Sequence, residues 1–169
     1  MSKFLKILEQ RVDGYIESLL DELDGNYDAM LRRHSADGLL RSGNTIRKTM
    51  ELINNGADEL KAFLIKQSSW VVDKSIYVPL SIGSNLMDLN EKCFEMYRVQ
   101  SKDYVKKAAK VAGQPNLFDR VYPDIEAFIQ RSLNEANLET EALVLENRST
   151  GIKGIARYLF SLVSKLWGG

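Results

Sequence analysis

Residues 84–112, SNLMDLNEKCFEMYRVQSKDYVKKAAKVA, decide the fold class. Leu86, Leu89, Cys93, Met96, Tyr97, Tyr104, Ala108 and Val111 fall largely three, four or seven residues apart, the spacing that lines side chains along one stripe of an α-helix. Gly113 closes the pattern, and Gln114-Pro115-Asn116 breaks the chain because proline has no amide proton to give a helix interior. The spacing predicts a helix from Ser84 or Asn85 to Ala112, the longest in the chain.

The same period extends outward in both directions. Upstream, Leu60, Phe63, Leu64, Trp70 and Val71 predict a helix from about Asp58 to Lys74, and Ser42-Gly43-Asn44 opens another that runs to Asn54 and ends at Asn55-Gly56. Leu5, Leu8, Val12, Tyr15 or Ile16, Leu19 and Leu23 predict a first helix over 3–23. Asp24-Gly25-Asn26 supplies turn chemistry before a second helix, 27–40, weakened by Gly38. Between Ser75 and Ser84, Tyr77-Val78-Pro79 and Gly83 predict an irregular link or a kink with room for a short strand. Downstream, Pro123 at a first helical position opens a helix from Asp124 to about Asn147, and Arg148 to Gly151 lead into a terminal helix. No strand alternation persists. The expectation is an all-α chain: a compact antiparallel helical bundle of six to seven helices over 1–151, with an amphipathic C-terminal helix over 152–169 in the same domain or appended to it.

A chain of 169 residues fits one domain and buries enough surface to need neither disulfide nor metal. The single Cys93 cannot close an internal bridge, and no charged n-region with an apolar run and cleavage site opens the sequence. A cytoplasmic location follows as the expectation. Net charge is zero but alternates in blocks: −3 over 1–60, +4 over 61–113, −4 over 114–150 and +3 over 151–169. Oppositely charged segments packed side by side account for this more simply than a polyanion partner, which usually meets a clear basic excess.

The terminal stretch GIKGIARYLFSLVSKLWGG carries three basic residues and no acid beside a dense apolar run. On a helix, Lys153, Arg157, Ser161, Ser164 and Lys165 occupy a polar arc of about 120°, and the apolar residues fill about 200° where a surface helix needs about 100°. This segment is too interrupted to span a bilayer. It can enter its own core, a partner's groove or a membrane interface, where Lys153, Arg157 and Lys165 would each add roughly 1 kcal/mol near anionic lipid. Lys153, Arg157, Leu159, Phe160, Val163, Lys165, Leu166 and Trp167 are the residues expected to bind.

Elsewhere the candidates for chemistry are thin. His34 lies in Arg32-Arg33-His34-Ser35-Ala36-Asp37, but neighbouring helical side chains diverge and cannot form a relay. Glu17, Asp21, Asp24 and Asp28 follow helical spacing without the Glu-x-x-His partners of a bundle metal site. Cys93 sits on the apolar stripe, where its thiol stays protonated. Gly151 to Gly154 has the spacing of an RNA-clamping loop without the surrounding α/β pattern, and Lys102, Lys106, Lys107 and Lys110 line one helical face. No cofactor is implied. The expected function is a non-enzymatic helical interaction module acting through its C-terminal helix, with a protein partner or homo-oligomer, or peripheral contact at an anionic membrane. The alternatives are nucleic-acid binding through 61–113 and an enzyme without a recognisable motif.

Overall fold

Leu5, Leu8, Val12, Ile16, Leu19 and Leu23 are all buried, and the stripe runs on to Tyr27 without a break. That continuity decides how many helices form. In the computed structural model, which describes residues 3–75 and 80–167 and the side chains of 4–75 and 81–148, the helices are α1 (Lys3–Ala36), α2 (Gly43–Lys74), α3 (Leu80–Val111) and α4 (Phe118–Trp167). A single 3-10 turn, Pro115–Leu117, precedes α4. The all-α class holds, with no strand among the described residues, but the helices number four rather than six to seven.

The predicted breaks at Gly25, Gly56 and Pro123 failed for the same reason. A glycine inside a helix costs about 1 kcal/mol relative to alanine, whereas burying one large apolar side chain contributes about 1.5–3 kcal/mol. Gly25 therefore stays helical between buried Leu23 and Tyr27, and Gly56 stays helical between buried Ile53 and Ala57. Pro123 is internal to α4, because Phe118, Val121 and Tyr122 ahead of it pack on the core. Residues 148–151 also continue α4 instead of leading into a new helix. Two glycines do end helices. Gly38 (φ 69°) and Gly113 (φ 71°) adopt the left-handed conformation open to glycine, with Leu39 N–H donating to His34 O at 2.8 Å and Gln114 N–H to Ala109 O at 2.9 Å.

Cross-helix pairs fix the topology. Arg11 lies over Trp70 and Tyr15 stacks on Phe63, so α1 and α2 are antiparallel; Asn90 bonds Asn137 and Arg98 bonds Gln130, so α3 and α4 are antiparallel. By contrast Asp13 meets Lys92 and Asp24 meets Tyr104, and Lys61 meets Glu135 and Ser68 meets Thr140, which makes α1–α3 and α2–α4 parallel neighbours. The bundle is thus of mixed direction and not purely antiparallel. Among the described residues α1 and α4 do not touch, and both pack on the central α2–α3 pair. This is why α3 buries Phe94, Val105 and Ala109 beyond the predicted stripe, while Met96 on that stripe is 38 % exposed.

Two polar clusters sit inside the packing. His34 Nδ1 is 2.9 Å from Thr45 Oγ1, which donates to the Leu40 carbonyl, and Asn44 Nδ2 donates to Nε2; the histidine joins α1 to α2. At the other end Asn90 donates to the half-buried Asn137 and to Thr140, and Thr140 donates to Ser68 at 3.2 Å, so buried Asn90, Thr140 and Ser68 link α2, α3 and α4. Satisfied polar groups of this kind fix helix register.

Candidate interaction surface

The surface begins where the bundle ends. Val144 is buried against Gly83, three residues after α3 begins, so the antiparallel α4 passes the start of α3 near Asn147. The helix continues through residues 148–167, about 30 Å at 1.5 Å per residue. Lys153, Arg157, Leu159, Phe160, Val163, Lys165, Leu166 and Trp167 all belong to this continuation, and their side chains lie outside the described residues. So does the GxxG spacing at 151–154.

On the described part of α4, Ala136, Thr140 and Val144 face the bundle. Leu138 and Leu145 are 65 % and 52 % exposed, the former about 200° around the helix from Ala136. Ala142, between them, is exposed as well. These residues were missed because the sequence was divided at 148–151. Across that point, positions 138, 142, 145, 149, 152, 156, 159, 163 and 166 read Leu, Ala, Leu, Ser, Ile, Ala, Leu, Val, Leu, alternating by four and three. Helical continuity is the signal that reveals them.

The basic face of α3 has a different environment. Lys102 lies 5.5 Å from the Tyr122 ring centre, Lys106 the same distance from Phe118, and Lys107 5.0 Å from Tyr104. Phe118 and Tyr122 stack on each other, so two of these lysines clamp the aromatic start of α4 to α3. The acidic series of α1 divides: Asp24 accepts a short hydrogen bond from Tyr104, and no group able to hold a metal ion occurs among the described residues. A groove of about 450 Å³ between α1 and α3 is lined by Glu9, Asp13, Asp88 and Lys92. Asp13 accepts from Lys92 at 2.9 Å and raises its pKa, holding the amine as an ammonium.

Burial controls the remaining nucleophiles. It pushes the Cys93 thiol from 9.0 up to about 12, and the Tyr27 and Tyr104 hydroxyls from 10.0 up to about 12, the last aided by its bond to Asp24. An unfolded chain releases these protons first. Stability from this source is therefore complete below about pH 9 and falls as pH rises towards 12. Urea midpoints measured across that range should decline, and Cys93 should stay unlabelled by a thiol reagent until the chain unfolds. A flat midpoint with rapid native labelling would contradict this account.

Fold and surface together define a four-helix bundle whose last helix outruns the other three. No family model, curated protein or solved structure matches the chain. No helix among the described residues is long and apolar enough to cross a membrane.

Proposed function

We propose that this protein is a helical interaction module whose binding element is the C-terminal part of α4, presented to a protein partner. The observation that supports this reading is the continuation of α4 past the bundle, joined to the exposed Leu138 and Leu145 on the face turned away from the core. Apolar side chains on a helix that has left its own core need another surface to cover them. An anionic membrane is the second reading, favoured by Lys153, Arg157 and Lys165 in a stretch without acidic residues.

Leu159→Glu and Trp167→Ala in the full chain test the proposal. Both should leave the melting temperature within a few degrees of the parent, because they lie past the described core. Both should also reduce association, read by sedimentation velocity for protein contacts and by co-sedimentation with vesicles of phosphatidylserine and phosphatidylcholine for membrane contacts. Unchanged association in both assays removes the binding role of this segment.

A further inference from the structure

We infer that the partner is a second copy of this chain, paired antiparallel along α4; the inference rests on the binding role just proposed for the end of that helix. The seam from Leu138 to Leu166 keeps strict alternation of four and three over four heptads. That 3.5-residue period, sustained for four heptads, is the signature of a helix wound against another helix. It spans 29 residues, about 42 Å from first to last.

The chain's own bundle leaves the described part of this seam uncovered. This part lies opposite Ala136, Thr140 and Val144, which already pack inward, and among the described residues α1 does not touch α4. Leu138, Ala142 and Leu145 are therefore open to a cover from outside. Charge selects both the occupant and its direction. Residues 135–149 contain Glu135, Glu139, Glu141 and Glu146 against Arg148, net −3, whereas 150–169 contain Lys153, Arg157 and Lys165, net +3. Two copies laid head to tail place each acidic half beside the partner's basic half, while a parallel pair sets like charge against like.

Side-chain size agrees with the same register. Antiparallel pairing about a two-fold axis near residues 150 and 151 sets Leu138 opposite Val163, Ala142 opposite Leu159, Leu145 opposite Ala156, and Ser149 opposite Ile152. Each of these four layers matches a larger residue with a smaller one, which fills the seam at close helix separation, and Leu166 falls beyond them opposite Glu135. One operator satisfies all four layers, as a self-complementary two-fold interface requires. Each copy's extension thereby seats on the exposed face of the other's bundle.

Sedimentation velocity of the full chain should show a dimer, and Leu138→Glu with Leu145→Glu should weaken it by about 100-fold without altering the melt. Direction is read by oxidative cross-linking. Leu145→Cys alone should give no covalent dimer, because the two copies of position 145 stand 11 residues apart along the pair, about 16 Å. The double variant Leu145→Cys/Ala156→Cys should give one readily. A covalent dimer from Leu145→Cys alone, or a monomer at about 100 µM, overturns the inference. A full chain that is monomeric and sediments with anionic vesicles, while the chain lacking residues 152–169 stays folded and does not sediment, leaves the binding role standing and removes only self-pairing. Unfolding of that truncated chain removes both.

Discussion

A chain ending at residue 151 should remain a folded bundle, melting cooperatively within a few degrees of the full protein, while losing the association that its last helix provides. The described core runs from Leu5 to Val144, and α4 has passed the start of α3 before residue 151. The opposite outcome is equally clear. Were residues 152–167 part of the core, truncation would remove several apolar contacts worth about 1.5–3 kcal/mol each, enough to exhaust a typical domain stability of about 5–15 kcal/mol. Circular dichroism during a thermal scan separates the two, since aggregation or a lost transition would return the segment to the core.

The second large effect should come from Gly56→Ala. A Cβ at this position would stand 2.3 Å from Tyr97 Oη, and that hydroxyl donates to the Ile53 carbonyl at 2.7 Å in the α2–α3 interface. Alanine gains about 1 kcal/mol in helix propensity, but displacing a fully buried tyrosine from a packed core should cost more. A net loss of about 1–3 kcal/mol is expected. Tyr97→Phe removes the atom nearest the new methyl, so the double variant should be more stable than the additive sum of the two changes. Denaturant midpoints for the four proteins of this cycle give the coupling. Simple additivity would mean that the close approach does not set the packing distance.

The α-class, the buried stripe of α1 and the glycine that ends α3 were legible in the sequence because each follows from local periodicity or backbone conformation. Leu5 to Leu23 form a 3.6-residue pattern that only one face can bury, and Gly113 sits where a left-handed residue is required. The helix count was not legible. Asp24-Gly25-Asn26 and Asn55-Gly56 have turn composition, and only tertiary burial of Tyr27 and Ala57 on either side shows why the helices continue. Gly56 is a contact residue whose partner lies 41 positions away, beyond the reach of any local pattern. The candidate surface was half legible. The apolar width of 152–167 stood out, but its continuation at Leu138 and Leu145 needed the knowledge that α4 is one helix.

The Ser68–Asn90–Asn137–Thr140 layer lies one helical turn before Val144, the last buried residue on the described part of α4. It therefore acts as a mechanical anchor. Any pull along the extension loads these hydrogen bonds in shear against a parallel neighbour, α2, and an antiparallel one, α3. A slip of one helical turn, about 5.4 Å, would leave buried amide and hydroxyl groups without partners, at about 1–3 kcal/mol each. The arm is thus fastened to resist axial sliding, so that tension on it is borne by the whole bundle instead of drawing α4 out a turn at a time.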